Sequence, residues 1–417
     1  MIILFFFLLL PLSAPRLLMV LEIFRHGARE PVYDYWNARS FREFGELTSV
    51  GMHQHYVLGQ YIRQHYINTL HFLSPRHEPE EFYVRSTDLN RTIVSAISQL
   101  YGLFPLEEGP FLPSGIEEGK TMPPIKDMLK RNSKKRMWNQ TYGLPMGFQP
   151  VPVISFQEKD DPLLRPYMPS LCPVNIMMET RQKMKQKYQE WREDFKESFK
   201  ALEVLVNNSG MTNITITMET ASRLYDVFEA DRYYNKRLPQ NLTTELWNNL
   251  TFVSNMNLYY VKLGGSDQQK FQATPFFKEI IDSFDNKLSA APNTIKFKMF
   301  SAHDMTLSYL LTGLNLTSYE CLEEVFRTGE TKEKHCFSYP EFASNMFIEL
   351  EEDDLTGEKM VRVKYNGENV NLCERESFVC EYAEFKQRLE GFMIEDFKSV
   401  CKNRAKSENN IFTILQE

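Results

Sequence analysis

An almost continuously apolar stretch, residues 17–24, ends directly in the polar run Arg-His-Gly-Ala-Arg-Glu-Pro at residues 25–31. A short apolar run that is bounded by polar residues predicts a buried strand. The polar run then lies at the carboxyl end of that strand. This feature constrains the fold most, because a strand of this kind must sit inside a covered sheet.

Two further segments repeat this layout. Residues 81–84 and 295–300 are rich in aromatic and β-branched side chains, which predicts short strands. Each is followed by a polar cluster, at residues 85–92 and 301–306, and then by a helical pattern. These units predict an α/β fold: a three-layer core with a mixed, mostly parallel sheet that binds its ligand at the carboxyl ends of the strands. The side chains that such a sheet would gather are Arg25, His26, Arg29, Arg85, His303 and Asp304.

The gathered side chains suit a phosphate group. Arginines neutralise the dianion through bidentate hydrogen bonds, and an unprotonated imidazole nitrogen can attack phosphorus. The run at residues 25–31 does not decide this alone, because Arg-His-Gly also occurs in ordinary surface turns. The convergence of three separate polar clusters favours a catalytic phosphate site.

The three clusters resemble the signature of the histidine acid phosphatases, branch 2 of the histidine phosphatase superfamily, which includes secreted, lysosomal and prostatic-type enzymes. The chain carries Arg-His-Gly-x-Arg-x-Pro at 25–31, Arg-Ser-Thr-Asp at 85–88 and His-Asp at 303–304. The likeness extends from the first strand to the last cysteine and is weakest over residues 109–293. It implies a phosphoglycerate-mutase-like fold and a site without a cofactor or a metal.

The resemblance also implies a role for each gathered side chain. His26 would attack the phosphorus of a monoester and form a phosphohistidine that water later cleaves, with its second ring nitrogen held by a nearby backbone carbonyl. Asp304 would protonate the leaving oxygen and then assist the water. The phosphate oxygens would be held by Arg25, Arg29, Arg85 and His303. An aspartate that must carry a proton, and that ordinarily titrates near ~3.9, predicts activity that falls as the pH rises through neutrality.

Other interpretations stay open. A mutase-type phosphotransferase of the same superfamily, or a non-catalytic paralogue that keeps an anion pocket, would carry similar residues. Asp304 could serve only as a cap of the helix that follows it. Asp88 and Arg91 are interpreted mainly as structural, as a helix cap and a buried ion pair, and support of Arg85 is their functional alternative.

The rest of the chain is organised around the predicted core. Residues 15–109 and 291–417 form a split α/β domain. Residues 110–290 begin with loops rich in proline and glycine, continue in a charged helical tract, and are predicted to form an inserted, mostly helical cap domain. Thr48 is a candidate N-cap of the first helix. A late hairpin around residues 353–357 is expected to close the sheet.

The N-terminal segment predicts export. Residues 1–14 are apolar and end in small residues, which is typical of a secretory signal peptide. A retained anchor stays an alternative, because the basic residues that usually precede such a segment are missing. No second apolar run of about 20 residues follows. We therefore expect a mature chain without a stable membrane span, secreted or held in the lysosomal or vacuolar lumen.

The six cysteines agree with an oxidising compartment, and sequence alone cannot separate their pairings. A zinc site is disfavoured, because the cysteines lack the usual ligand spacing. The resemblance implies the pairs Cys172–Cys401 and Cys373–Cys380, which leaves Cys321 and Cys336.

Acceptor motifs for N-glycosylation also predict an exported glycoprotein. They lie at Asn90, Asn139, Asn207, Asn213, Asn241, Asn249 and Asn315. Most of them fall in the predicted cap domain. Asn90 lies in a predicted site turn and is expected to be unmodified.

The formal net charge of −7 over 417 residues gives no reason to expect nucleic acid as a partner. The expected partner is a phosphomonoester, on a small molecule or on a protein. Neither the particular substrate nor the oligomeric state is indicated by the sequence.

Overall fold

The computed structural model of the chain describes residues 15–33, 44–116, 120–121, 141–211, 214–234, 238–291, 294–373, 378–397, 399 and 401. The predicted signal peptide, residues 1–14, lies outside the described residues, as do the glycosylation motifs at Asn139 and Asn213. These features stay predictions.

One mixed sheet of eight strands forms the centre of the described structure. In chain order the strands are β1 (Arg16–Arg25), β2 (Phe82–Thr87), β3 (Ile154–Phe156), β4 (Phe297–Ala302), β5 (Asn345–Glu352), β6 (Lys359–Tyr365), β7 (Glu368–Val370) and β8 (Val379–Glu381). Their spatial order is β3-β2-β4-β1-β5-β6-β7, and β8 pairs with β6. β3, β2, β4 and β1 are parallel, whereas β5 is antiparallel to both β1 and β6. Since β6 therefore follows the direction of β1, most strands share one direction, and the predicted mixed, mostly parallel sheet is confirmed.

Helices cover both faces of this sheet. In chain order they are α1 (Ser49–Ile62), α2 (Asn90–Leu103), α3 (Val174–Met184), α4 (Gln186–Asp194), α5 (Lys196–Asn208), α6 (Met218–Tyr233), α7 (Thr244–Met256), α8 (Ser266–Leu288), α9 (Asp304–Gly313), α10 (Tyr319–Thr328) and α11 (Tyr382–Phe392). α1 and α7 continue in π-helical turns, Arg63–Thr69 and Asn257–Lys262.

The side chains of β1 show why the fold has three layers. Val20 and Phe24 point into a core cluster shared with α1 and α2. Leu21 and Ile23 alternate with them and point into a larger cluster, which includes Phe276 of α8. All four strand side chains are fully buried. The apolar run at residues 17–24 is thus a strand that is covered on both faces.

The loop after β1 is clamped against the start of α1. The Thr48 hydroxyl accepts from the N–H of Gly51 at 3.2 Å and donates to the carbonyl of Ala28 at 2.8 Å. A Cβ atom on Gly27 would lie only 2.4 Å from the carbonyl oxygen of Gly51. Glycine therefore allows the close approach that fixes the loop. The predicted N-cap at Thr48 is confirmed.

The start of α2 differs from the prediction. The N-cap position is Leu89, and no side chain of the described residues caps the helix there. Asp88 instead accepts hydrogen bonds from the Arg165 guanidinium and from the N–H of Glu158, each at 3.2 Å. Asp88 is thus neither a helix cap nor the partner of Arg91, because the segment after β3 has taken its carboxylate.

The predicted cap segment, residues 110–290, contains α3–α8, and it also contains β3, which pairs with β2. The segment therefore contributes a strand to the central sheet. Buried side chains from its helices share one apolar cluster with β1. The division into a split core and an inserted cap domain stays a prediction.

Three disulfide bonds join the cysteines. They are Cys172–Cys401, Cys321–Cys336 and Cys373–Cys380, as the resemblance implies. The first joins the segment before α3 to the C-terminal end of the described chain. Over the residues described, no helix combines the length and the apolar character that a membrane span needs.

A buried carboxyl group lies between β1 and α2. Glu22 is fully buried, and Nε2 of Gln99 donates to its two oxygens at 2.6 and 2.8 Å. The Gln99 oxygen faces Nδ1 of His55 at 2.9 Å. Burial raises the pKa of Glu22 to about 8, and the Gln99 hydrogen bond offsets only part of this rise. Burial likewise lowers the pKa of His55 to about 4.

We expect Glu22→Gln to flatten the loss of stability that accompanies a rise in pH from 4.5 to about 8. The folded chain keeps the Glu22 proton up to about pH 8, whereas the unfolded chain releases it near 4.5, so stability falls as the pH rises between these values. His55 has the opposite slope, because its pKa is lowered in the folded chain. The thermal midpoint of the variant, measured across this range, should gain on the wild type as the pH rises. The exposed Glu358→Gln is the control, and parallel curves for Glu22→Gln would contradict the expectation.

Candidate active site

The ends of β1 and β4 meet at one edge of the sheet. Arg25 pairs in register with Ala302, whose carbonyl accepts from the backbone N–H of His26 at 3.1 Å. The rings of His26 and His303 lie 5.6 Å apart, edge to face. The structure thus brings the polar run after β1 and the His-Asp pair after β4 together, as predicted.

His26 presents one free ring nitrogen. Its Nδ1 lies 2.9 Å from the carbonyl oxygen of Gly27. Because a carbonyl only accepts, Nδ1 carries the proton of the neutral ring, and Nε2 is left unprotonated. Burial lowers the pKa of His26, and the charges of Arg91, Arg25 and Arg29 lower it further. These effects favour the neutral ring, which is the form that can act as a nucleophile.

Two arginines of the same run flank this ring. Nη1 of Arg25 donates to the carbonyl of Pro340 at 2.7 Å, and its Nη2 lies 3.1 Å from Oδ2 of Asp304. Nη1 and Nη2 of Arg29 donate to the two carboxylate oxygens of Asp226, at 3.3 and 2.6 Å. Among the described residues, the buried Nε of each arginine has no hydrogen-bond partner. Each Nε is thus a donor that suits an anion.

Arg85 is the predicted site residue that the structure does not bring into this cluster. Its Nη2 donates to Asp161 at 2.5 Å, and its guanidinium lies 4.4 Å above the ring of Phe156. Arg85 precedes the end of β2 by two residues, and its side chain points towards the segment after β3. In the described part of the chain, these contacts of Arg85 run to Asp161 and Phe156, and they do not support its predicted role in holding phosphate beside His26.

Arg91 is the third arginine near the nucleophile candidate. After burial, its charge contributes most to the lowered pKa of both His26 and His303. Burial, aided by Arg29, lowers the pKa of Arg91 itself to about 10. Over the part of the chain that is described, no carboxylate lies within ion-pair distance of Arg91. A half-buried cation of this kind suits an anionic ligand.

His303 follows the end of β4, and its ring lies beside that of His26. Its Nε2 lies 3.0 Å from the hydroxyl of Thr87, which in turn lies 2.8 Å from the hydroxyl of Thr92. Burial and the charge of Arg91 lower the pKa of His303. The ring is thus neutral and is held by the carboxyl end of β2.

Asp304 is the first residue of α9, and the N-cap position belongs to His303. Oδ2 of Asp304 accepts from the Tyr339 hydroxyl at 2.5 Å, and its Oδ1 accepts from the N–H of Met305 at 2.7 Å. Burial alone would raise the pKa of this carboxyl group, but Arg25, the Tyr339 hydroxyl and nearby cations together lower it well below its ordinary value. Asp304 is therefore ionised in the free protein.

The sequence did not indicate Tyr339 or Asp226, and it indicated Arg91 only as a structural residue or as a support of Arg85. A signal for Arg91 was present, since it occupies the first turn of the helix after β2, as Asp304 does after β4. Tyr339 and Asp226 lie in segments without a strand-end motif, and we find no sequence signal for them.

The fold and the site together define a class of protein. A neutral imidazole with one free nitrogen lies among buried arginines, at the carboxyl ends of parallel strands in an α/β sheet. This arrangement suits enzymes that transfer a phosphoryl group through a histidine.

Comparison with known proteins identifies the family. A sequence model of the histidine phosphatase superfamily (branch 2) matches residues 16–366, and the chain belongs to this family. A prostatic acid phosphatase of Bos taurus is 30% identical over 334 residues, which cover 76% of each chain. A lysosomal acid phosphatase of Xenopus laevis is 25% identical over 406 residues, 94% of this chain and 80% of the relative. Acid phosphatases are phosphoric monoester hydrolases, and the chain is an enzyme of this class.

Solved structures show the same fold. The phytase of Citrobacter braakii superposes with a TM-score of 0.62 at 14% identity, over 91% of this chain and 98% of the phytase. An apo phytase of Hafnia alvei gives a TM-score of 0.59 at 13% identity, over 93% of this chain and 99% of the phytase. At these identities the likeness concerns the fold alone.

Proposed function

We propose that the protein is an acid phosphatase that hydrolyses phosphate monoesters through a covalent phosphohistidine on His26. The supporting observation is the hydrogen bond from Nδ1 of His26 to the Gly27 carbonyl, which leaves Nε2 free beside buried cations. A lone pair in that place can attack a phosphorus whose charge is already neutralised.

The first step transfers the phosphoryl group to the enzyme. Nε2 of His26 forms a bond to phosphorus as the bond between phosphorus and the ester oxygen breaks. Asp304 gives its proton to the departing oxygen, which leaves as an alcohol. The phosphoryl oxygens are held by Arg25, Arg29, Arg91 and His303, which stabilise the charge of the transition state.

The second step releases phosphate. Asp304, now a carboxylate, accepts a proton from a water molecule that attacks phosphorus. The bond between phosphorus and Nε2 of His26 breaks as the water attacks, which restores the neutral imidazole, and the proton on Asp304 leaves with the inorganic phosphate. Arg85 has a supporting role in this proposal, because it holds the buried Asp161 rather than the substrate.

The pH dependence follows from the lowered pKa of Asp304. In the free protein Asp304 is ionised, so its proton must arrive with the substrate. A phosphate monoester is a monoanion below its second pKa of about 6. The bound phosphate offsets the surrounding cations and raises the pKa of Asp304, which lets the proton pass to its carboxylate. Activity should therefore fall as the pH rises through about 6 to 7, and the acid optimum reflects the substrate as well as Asp304.

Asp304→Asn tests the assignment of the acid. We expect turnover of an alkyl phosphate to fall by about 10²–10⁴-fold, because its alkoxide leaves poorly without a proton. An aryl phosphate with a good leaving group should lose much less. Asp282→Asn, a change on the exposed side of α8, is the control. Equal losses for both substrates would instead give Asp304 a positioning role.

The proposed location is the secretory pathway lumen or the outside of the cell. The three disulfide bonds require an oxidising compartment. The relatives named prostatic and lysosomal acid phosphatases support the same location. The substrate proposed here is the class of phosphomonoesters, without a preferred alcohol.

A further inference from the structure

Tyr339 makes the shortest side-chain contact to the proposed general acid. Its hydroxyl donates to Oδ2 of Asp304 at 2.5 Å, and Nη2 of Arg25 lies 3.1 Å from the same oxygen. Within the described parts of the chain, the other oxygen, Oδ1, accepts a hydrogen bond from the N–H of Met305 alone, at 2.7 Å. A carboxylate oxygen has two lone pairs. Both are used on Oδ2, so the lone pair that remains for a proton is on Oδ1.

Helices of the predicted cap segment hold Tyr339 in this place. Oδ1 of Asn255, on α7, accepts from the backbone N–H of Tyr339 at 3.0 Å. The ring of Tyr225, on α6, meets the Tyr339 ring edge to face at 5.9 Å. The hydroxyl of Tyr259 donates to the carbonyl of Ser338 at 3.1 Å. The position of the Tyr339 hydroxyl is therefore fixed by elements outside the three strand ends.

We propose that Tyr339 is a positioning residue for the general acid: its hydroxyl holds Oδ2 of Asp304, so that the catalytic proton is carried on Oδ1. This inference rests on the proposed function of Asp304. It assigns the cap segment a part in the chemistry, since α6 and α7 fix the hydroxyl that orients the acid.

The groups around Asp304 determine whether loss of the Tyr339 hydroxyl raises or lowers the pKa of Asp304. The titratable groups that act on it are Arg25, Arg29, Arg91, His303, Tyr167, Tyr259 and Tyr339. Burial and the charge of Asp304 raise the pKa of Tyr339 well above its ordinary value, so its hydroxyl stays a donor at every working pH. A donor to the ionised carboxylate lowers its pKa. Loss of this donor must therefore raise the pKa of Asp304, both free and with substrate bound.

Tyr339→Phe tests this inference through the pH profile of kcat for an alkyl phosphate. The alkaline limb of kcat reports the acid in the enzyme–substrate complex. We expect this limb to move to higher pH by about one unit, because a hydrogen bond to a charged group is lost. At low pH, kcat should fall severalfold while KM changes little, since the acid is less well oriented.

A matched control is available in Tyr382→Phe. The Tyr382 hydroxyl donates to Oδ1 of Asp285 at 2.7 Å, the same kind of hydrogen bond away from the site. This variant should change thermal stability but not the pH profile. If Tyr339→Phe does not fold, as judged by circular dichroism, Asn255→Ala provides a second test. It releases the main chain of Tyr339 and should move the limb in the same direction by less.

The outcomes separate this inference from the proposed function. An alkaline limb that stays in place in the folded Tyr339→Phe variant, or in Asn255→Ala where that variant replaces it, overturns the role of Tyr339. This conclusion requires that the loss of activity in Asp304→Asn still depends on the leaving group of the substrate. Loss of that dependence overturns the assignment of Asp304 itself.

Discussion

His26→Ala is expected to lower kcat/KM for any phosphomonoester by at least ~10⁴-fold, because it removes the nucleophile that takes the phosphoryl group from the substrate. The methyl group that replaces the imidazole has no lone pair, and water would have to attack directly. Steady-state hydrolysis of an aryl phosphate at acidic pH measures this loss. The protein should stay folded, since the loop is held by Thr48 and by glycine contacts that do not involve the ring.

The control for this variant is His53→Ala. His53 lies on the exposed side of α1, and its loss should leave the activity unchanged. A His26→Ala variant that retained more than a few per cent of wild-type kcat/KM would show that the ring only positions another nucleophile.

Arg91→Ala and Arg85→Ala are expected to have large but different effects, the first on activity and the second on stability. We expect Arg91→Ala to lower kcat/KM by about 10²–10³-fold, because a cation that faces the transferring phosphoryl group is lost. Arg85→Ala should instead lower the free energy of unfolding by about 3–5 kcal/mol, because it leaves the fully buried Asp161 without its ion-pair partner. Hydrolysis rates and urea unfolding of both variants separate the two effects.

The double replacement Arg85→Ala with Asp161→Leu is the control for stability, since it removes both charges together. It should recover part of the lost free energy of unfolding. If the folded Arg85→Ala variant lost more kcat/KM than Arg91→Ala, the original sequence-based assignment of Arg85 would be right and the electrostatic argument for Arg91 would be wrong.

The contrast between these two arginines shows where sequence reasoning ends. Arg85 and Arg91 both lie in the polar cluster at residues 85–92, and the motif alone does not say which guanidinium group faces the ligand. That depends on the face of β2 from which the Arg85 side chain projects and on the residue at which α2 begins. The helix begins after Leu89 without a side-chain cap, whereas the sequence predicted a capping role for Asp88. That carboxylate is taken by Arg165, a residue 77 positions away.

Local signals were sufficient for five strands of the central sheet, namely β1, β2, β4, β5 and β6. The apolar run before Arg25 is a fully covered strand, and the predicted hairpin around residues 353–357 joins β5 to β6, with Ile348 paired to Val363. Strand ends in a parallel sheet share one edge, so the meeting of His26 with His303 followed directly.

Tyr339 had no comparable signal. It lies in a loop 35 residues after Asp304, and its hydroxyl reaches the carboxylate only because α6 and α7 hold the loop there. Its contact depends on tertiary packing of the segment in which the family resemblance is weakest. The lowered pKa of Asp304 was hidden for the same reason, because its causes come from several separate elements.

The proposed mechanism depends on a covalent bond between phosphorus and Nε2 of His26. The most direct test mixes the protein with a ³²P-labelled aryl phosphate, quenches the reaction in alkaline detergent within milliseconds, and maps the label by peptide mass spectrometry. We predict label on the peptide that contains His26, stable in alkali, released by acid, and missing from His26→Ala. Label on any other residue, or full turnover without label on the protein, would contradict the account.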